Sequence, residues 1–222
     1  MSQRLVTPFK AKKLLLAAGY KVPGYRKGWG YDHYGHDYGF KEAGYDTYAC
    51  GDGEVIACGL DGNAPHGNGA RLGNCIVIVY KDVLCNDEVV RDLACQMCHF
   101  AEIKVKKGQK ITAETIIGKY GDTGGRDYTA HLHIQFDTDV NNPRWMYGIA
   151  STGNIMYKGT VDSTITPAKI WYLRDGQTIT PTNGETYYFP SEINIPILPK
   201  EKDYKALYEE AQAKLNKIKA IV

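Results

Sequence analysis

Apolar and polar residues alternate in short segments along the first two thirds of the chain, and glycine-rich turns separate these segments. Such segments are typical of β-strands. The pattern predicts strands at 53–57, 74–79, 103–105, 116–120 and 131–136. Short strands at regular spacing favour an antiparallel sheet or barrel. We therefore expect a mainly β fold, built on a small antiparallel, barrel-like sheet.

Two other segments lack strand periodicity. Residues 64–70 are dense in glycine, proline and asparagine, which predicts a surface loop of the kind that often walls a cleft. Residues 176–200 are irregular and rich in proline and threonine. We predict one domain over residues 1–175, followed by an extension over 176–200 that forms no second core.

The last segment, 201–222, has helical periodicity. Its apolar residues recur at alternating spacings of four and three, at Tyr204, Tyr208, Ala211, Leu215, Ile218 and Val222. This predicts an amphipathic C-terminal helix. We favour a helix docked on the domain, because about three heptads is short for a free-standing coil. A short coiled coil, with self-association through residues 204–222, is the alternative.

Composition narrows the class of protein. The chain has 222 residues, 43% of them hydrophobic and 23% charged, which is typical of a folded globular protein. Its formal net charge is only +2, so nucleic acid is not an expected partner. No apolar run approaches the roughly 20 residues that a membrane-spanning helix needs. We expect a soluble protein.

The N-terminal apolar run at 14–18 follows three lysines and imitates a signal peptide, but it is shorter than the roughly 7–15 residues of a signal core. We therefore expect a chain made in the cytoplasm. Six cysteines are present, and for a chain of this size without an export signal we favour thiols over disulfides.

Four of the six histidines, together with one aspartate, have spacings that suit a metal site. Alternation along the last predicted strand places His131 and His133 on one face, and upstream it places His33 and Asp37 on one face. His99 ends an apolar, strand-like segment, where an idle imidazole would be costly to desolvate. Histidine nitrogens, one carboxylate and an open position make up a catalytic zinc site.

The other two histidines carry less information. His36 lies on the face opposite His33 and Asp37, so we expect it to be structural or exposed. His66 falls in the predicted loop and is expected to be solvated. The spacing in Cys95-Gln96-Met97-Cys98 is that of a redox motif, but no βαβ context surrounds it, which disfavours a thioredoxin-like role.

Three motifs stand in order along the chain: His-x-Gly-x-Asp at 33–37, an apolar segment ending in His99, and His-x-His at 131–133. In this order they resemble the lysostaphin-type (LytM-type) zinc endopeptidases of bacterial cell walls. Turn segments at 105–111 and 117–124 are also similar to those of that family. The resemblance covers about residues 30–140.

The resemblance implies a ligand set and a pair of catalytic groups. One zinc ion would be held by His33, Asp37 and His133, with His99 and His131 beside it as catalytic histidines. Zinc supplies Lewis-acid polarisation of a carbonyl and activation of water. Two nearby imidazoles can move protons and stabilise an oxyanion. How these tasks divide between the two histidines stays open.

The family also implies a fold and a substrate. Its catalytic domain is a small antiparallel β structure with long loops around a zinc cleft, and its substrate is the peptide part of peptidoglycan. Tyr128 is a candidate substrate-binding residue. Tyr128, Trp145 and Tyr147 either line the cleft or complete the core.

Two departures from the family pattern stand out. The family usually has Tyr-x-His-Leu where this chain has Met97-Cys98-His99-Phe100, so a cleft tyrosine is missing or comes from elsewhere. Latent members block their zinc with an upstream asparagine, and residues 1–32 contain none. Self-inhibition by that route is therefore not expected.

Three hypotheses follow. The first is a zinc endopeptidase acting on the cell wall, as a phage-type lysin, a wall-remodelling hydrolase or a part of a larger protein. The second is a non-catalytic wall-binding or activator module that keeps the fold; the complete ligand set disfavours it. The third is a cysteine-based zinc or redox protein, which would use Cys95 and Cys98 instead of the histidines.

Overall fold

A computed structural model describes residues 2–30, 32–39, 45–60, 72–124, 129–141, 147–149, 155–157 and 162–181. All of them lie in the first of two units into which the chain divides, Met1–Glu192. The strands of this part of the chain are β1 (Leu5–Val6), β2 (Lys13–Ala18), β3 (Gly35–Gly39), β4 (Asp46–Tyr48), β5 (Gly53–Leu60), β6 (Asn74–Leu84), β7 (Val90–Cys98), β8 (Phe100–Ile103), β9 (Lys110–Ile111), β10 (Ile116–Tyr120), β11 (His131–Asp137), β12 (Tyr147–Ile149), β13 (Ile155–Tyr157), β14 (Thr164–Ile165), β15 (Trp171–Tyr172) and β16 (Thr178–Pro181).

The described helices are short. Helix α1 covers Pro23–Trp29, with proline in its first turn, where the missing N–H costs no hydrogen bond. It ends at Gly30, whose left-handed backbone returns an N–H to the Arg26 carbonyl. A 3-10 turn follows later at Pro167–Lys169. Within the described ranges, no helix has the length and apolarity needed to cross a bilayer.

One large sheet dominates the domain. Its strand order is β16-β2-β3-β11-β7-β6-β5-β9, with β14 pairing to β11 as a side branch. The pairs inside this sheet are antiparallel, except for β16, which runs parallel to β2. A three-stranded sheet, β4-β10-β8, and the two pairs β1-β15 and β12-β13 complete the described strands. The expectation of a mainly β fold is confirmed.

The apolar run that imitates a signal peptide is strand β2. Leu14 and Leu16 are fully buried, while Lys13 and Leu15 face outward, which is the alternation of a strand with one covered face. Its outer neighbour, β16, lies within the predicted extension and adds four residues to the sheet. The predicted boundary after residue 175 stays a prediction.

The hydrophobic core lies against the middle of the large sheet. Trp171 is fully buried there, with its ring centroid 5.3 Å from that of Tyr38 and 5.9 Å from that of Phe136. These residues join β3 and β11 of the large sheet to β15. The buried centre of the fold therefore supports β3 and β11, which carry the candidate ligands Asp37 and His133. The predicted loop at 64–70, residues 182–200 of the extension and the predicted C-terminal helix lie outside the described residues.

Candidate metal centre

Three donor atoms meet beside β3. The Nε2 atom of His33 lies 3.0 Å from Oδ1 of Asp37 and 3.1 Å from Nδ1 of His133, and that Nδ1 lies 2.8 Å from the same carboxylate oxygen. Within the described ranges, no other group of three or more His, Cys, Asp or Glu offers donor atoms this close together. Cys95 and Cys98 are not part of it.

Strand register brings these residues together from distant parts of the chain. In β11, His133 lies directly opposite Asp37 of β3 on one side and opposite Cys98 of β7 on the other. His33 precedes β3 and reaches the cluster from the connection after α1. Because β11 lies between β3 and β7, His133 has Asp37 on one side. On its other side it has the end of β7, which leads to His99.

The partner of His33 decides which of its nitrogens carries a hydrogen. Its Nδ1 lies 2.7 Å from the carbonyl oxygen of Gly19, and a carbonyl only accepts, so Nδ1 must be the N–H donor. In the neutral form of His33, Nε2 therefore directs its lone pair at the Asp37 carboxylate. Metal-binding histidines commonly make such a bond from the nitrogen that does not face the metal.

This arrangement fits a divalent cation. A bare imidazole lone pair and a carboxylate oxygen 3.0 Å apart repel each other unless a proton or a cation lies between them. Two imidazole nitrogens and one carboxylate oxygen are also the donor set of many catalytic zinc sites, which leave a fourth position open. The residues present therefore suit zinc.

The charge states of the cluster favour metal binding. Burial opposes ionisation of Asp37, but His33 and His133 hold the pKa of its carboxyl well below the usual range. Burial also lowers the pKa of His133, although Asp37 opposes that shift. An ionised carboxylate beside neutral imidazoles is the form that a metal ion requires.

His99 and His131 form a second pair beside the first. Their ring centroids are 4.4 Å apart, and the His99 ring lies 6.5 Å from that of His133. Backbone hydrogen bonds fix this pair, because Gly121 donates its N–H to the His99 carbonyl and accepts from the N–H of His131. The end of β10 therefore holds both histidines in place.

Each member of this pair has its tautomer set by a backbone carbonyl. Nδ1 of His99 lies 2.8 Å from the oxygen of Thr123, and Nδ1 of His131 lies 2.7 Å from the oxygen of Thr129. Both Nδ1 atoms are therefore N–H donors, and each Nε2 carries the lone pair. Two imidazoles with their Nε2 atoms as bases are suited to taking up and returning a proton.

The backbone of His99 is unusual. Its φ angle is 70°, in the left-handed region, between the end of β7 and the start of β8. Residues other than glycine adopt this conformation at some cost, and such outliers concentrate at functional sites. Burial, reinforced by His131, lowers the pKa of His99 to about 3, so the side chain is neutral at physiological pH.

Gly35 allows the close approach on which the cluster depends. A Cβ atom at this position would lie 2.3 Å from the carbonyl oxygen of Ile134 and 2.9 Å from Cε1 of His133. From the sequence, Gly35 between His33 and Asp37 is expected to leave space for an approaching group. In the structure, that group is the backbone and imidazole of β11.

Some site features were not predicted. The ring of Tyr25, on α1, stacks on His33 with centroids 4.4 Å apart and 25° between the planes. The carbonyls of Gly19 and Thr123 were also missed, since main-chain acceptors leave no mark in a sequence. Tyr128 and Trp145 lie outside the described residues, and for Tyr147 only the backbone is described, in β12.

His36 was expected to be either structural or exposed, and the structure shows that it is structural. It is fully buried on the other side of β3, with Nδ1 2.9 Å from the hydroxyl oxygen of Tyr38. Burial lowers its pKa to about 3. His36 is thus a neutral core residue.

Residues 31–143 match the model of peptidase family M23. The chain belongs to this family, whose members include the LytM-type peptidases, and it is thereby a protein of the metallopeptidase-type hydrolase class. The matched range contains all five residues discussed above as ligand or catalytic candidates. No curated protein matches the chain.

Solved structures of related peptidases resemble this chain. A zinc-containing peptidase from Vibrio cholerae is 25% identical over 61% of this chain and 37% of its own, with a TM-score of 0.43. The catalytic domain of lysostaphin from Staphylococcus simulans is 24% identical over 64% of this chain and 86% of its own (TM-score 0.40). The catalytic domain of EnpA, a prophage-encoded M23 protein of Enterococcus faecalis, is 21% identical over 68% and 93% (TM-score 0.43). This chain thus spans little more than a third of the first of these proteins.

Proposed function

We propose that this chain is a zinc-dependent endopeptidase that hydrolyses peptide bonds in bacterial peptidoglycan. The observation that carries the proposal is the convergence of His33 Nε2, Asp37 Oδ1 and His133 Nδ1 within 3.1 Å of one another. These three residues would hold one zinc ion. Zinc, when bound, supplies Lewis-acid polarisation of a carbonyl and activation of water.

The chain's own residues supply the proton chemistry. His99 and His131 hold their Nε2 atoms as bases, because both Nδ1 atoms donate to carbonyls. Burial lowers the pKa of His99, so its imidazole is neutral at physiological pH and Nε2 carries the lone pair. Either histidine can return a proton to the leaving amine.

The peptidoglycan substrate is proposed from family membership. The site of action is then the cell wall, reached from the cytoplasm at lysis or as part of a larger protein. The cross-bridge and the stem peptide are the two candidate locations of the scissile bond. Self-association through residues 204–222 stays a proposal, as does the role of Tyr128 in binding substrate.

The test combines metal analysis with wall digestion. Wild-type protein should contain about one zinc per chain and release soluble peptides from purified walls; chelator should abolish release and added zinc should restore it. His33→Ala, Asp37→Ala and His133→Ala should each lose both zinc and activity. Stoichiometric zinc in all three variants would refute the ligand assignment.

Two further outcomes separate the alternatives. Bound zinc without release of wall peptides would favour a non-catalytic binding module. Loss of zinc in a Cys95→Ala, Cys98→Ala double variant, with retention in His133→Ala, would favour the cysteine-based protein. Mass spectrometry of fragments from walls of defined cross-link chemistry then identifies the bond that is cut.

A further inference from the structure

Two cysteines lie close together beside His99. The Sγ atoms of Cys75 and Cys98 are 3.3 Å apart, and both side chains are fully buried. Cys75 belongs to β6 and Cys98 to β7, and the register pair Ile76 and Met97 makes the two cysteines neighbours across these antiparallel strands. All six cysteines, which lie within the described residues, are thiols in this structure.

The partner of Cys98 is not the cysteine that the sequence motif suggests. Cys95 and Cys98 are three residues apart on one strand, so their side chains leave opposite faces of the sheet. Cys95 packs in the main hydrophobic core, whereas Cys75 and Cys98 form a small cluster of their own, against which Leu72 packs. The sheet pairing, not the short spacing, determines which thiols meet.

The positions of the two residues suit a covalent bond. Directly opposed residues on antiparallel strands have Cα atoms about 4.5–5.5 Å apart. Disulfides span Cα separations of about 4.4–6.8 Å, so no strand has to move far. The sulfurs themselves must approach from 3.3 Å to about 2.05 Å, a shift that small side-chain rotations can supply.

We propose that Cys75 and Cys98 form a disulfide when the chain folds in an oxidising environment, with a small-molecule disulfide such as oxidised glutathione as the oxidant. One cysteine thiolate attacks the small disulfide, forming a mixed disulfide and releasing one thiol. The second cysteine thiolate then attacks the protein sulfur and releases the other thiol. Two protein thiols lose two protons and two electrons, and one small disulfide becomes two thiols.

The bond would act as a staple beneath His99. Cys98 directly precedes this histidine, whose N–H donates to the carbonyl of Leu72 at 3.1 Å. The thiol of Cys75 lies 3.6 Å from the same oxygen. A bridge between the start of β6 and the end of β7 would therefore tie the residue before His99 to the segment whose Leu72 carbonyl accepts the His99 N–H. This inference is independent of the proposed peptidase activity.

Peptide mapping of the refolded whole chain tests it. Unfolded, reduced protein is refolded in one arm with a mixture of reduced and oxidised glutathione and in the other with excess reductant, then alkylated in denaturant and digested with trypsin. Cys75 lies in peptide 72–81, and Cys98 shares peptide 92–104 with Cys95. Cleavage after Met97 with cyanogen bromide separates the last two cysteines.

In the oxidising arm, we expect peptide 72–81 linked to the fragment that begins at Cys98, with the mass of two hydrogen atoms lost. Cys58→Ser is the matched control and should keep the link, whereas Cys75→Ser should remove it. Recovery of both cysteines in alkylated form, or a link from Cys75 to Cys95, would overturn the proposal.

Thermal unfolding tests the staple separately. A disulfide that closes a loop of this length should raise the Tm by roughly 5–10 °C in the oxidising arm. The Tm of Cys75→Ser should be the same in both arms. An oxidised protein that carries the bond but melts no higher would show that the bridge does not staple these strands.

Discussion

The ring of Tyr25 lies nearly parallel to the ring of His33, with the two centroids 4.4 Å apart. Together with the bond from His33 Nδ1 to the Gly19 carbonyl, this stacking fixes both the plane and the rotation of the imidazole. Helix α1 therefore contributes to the candidate metal centre without supplying a ligand. Residues that contact a metal ligand in this way affect metal affinity as well as the orientation of the ligand.

Loss of the Tyr25 ring should weaken zinc binding. Aromatic contacts of this kind contribute about 0.5–1.5 kcal/mol, so Tyr25→Ala should lower zinc affinity by roughly 2- to 10-fold. Tyr25→Phe keeps the ring and is the matched control. Competition with a chromophoric chelator measures both. Equal affinities for the alanine and phenylalanine variants would show that the stack does not position His33.

Gly35 and Gly39 occupy the two ends of β3 and form a natural comparison. Gly35→Ala would force a Cβ against the Ile134 carbonyl, whereas the nearest atom to a Cβ at Gly39 is the Cβ of Ala17, at 4.0 Å. We expect Gly35→Ala to destabilise the fold by about 1–3 kcal/mol and to reduce zinc content, and Gly39→Ala to do neither. Urea unfolding and metal analysis measure the two effects. Similar behaviour of both variants would contradict the proposed close packing of β3 on β11.

His99 and His131 should be needed for hydrolysis but not for zinc. The left-handed backbone at His99 makes asparagine a better replacement than alanine, because asparagine tolerates this conformation. His99→Asn and His131→Gln should keep nearly one zinc per chain and lose about 10²- to 10⁴-fold in wall-peptide release. If either variant empties the site, that histidine is a ligand and the proposed roles must be exchanged.

Stability should depend on pH through the buried neutral His36. Its folded pKa is about 3, while the unfolded chain has the ordinary value of about 6.5. Above about pH 6.5 neither state is protonated there, and the contribution to stability is complete. As the pH falls from 6.5 towards 3, only the unfolded state takes up the proton, so the free energy of unfolding decreases, by at most about 1.4 kcal/mol per pH unit.

The variant His36→Gln cannot take up this proton in either the folded or the unfolded state. Urea unfolding in the presence of chelator, repeated between pH 7 and pH 4, should give a shallower loss of stability for the variant than for the wild type. The comparison concerns the slope, so it holds even where the substitution lowers stability at every pH. Identical slopes would show that His36 is not kept neutral in the folded protein.

Strand periodicity was enough to predict much of the fold. The five predicted strands all overlap strands of the structure, because alternation is a local property that each segment carries by itself. The apolar run at 14–18 shows the limit of that approach. It has the composition of a signal core, and only its pairing with β3 and β16 distinguishes it as a strand.

The candidate site was predicted by a different kind of information. The order of the motifs around His33, His99 and His131 indicated which residues to consider, and the structure brings them together. Their supporting contacts were not predictable, since the Tyr25 stack and the carbonyl of Thr123 depend on where α1 and the end of β10 lie. The same is true of Cys75, whose nearness to Cys98 follows from the register of β6 on β7.

The central position of β11 also has a kinetic consequence. Asp37 and His133 are almost a hundred residues apart in the chain, and they meet only when β11 has inserted between β3 and β7. Contacts between such distant segments form late, because closing a long loop costs entropy before any pairing compensates for it. A folding intermediate without β11 has no place for the metal ion. At the proposed zinc site, the rate of tight metal binding should therefore report a late step of folding and not an early collapse.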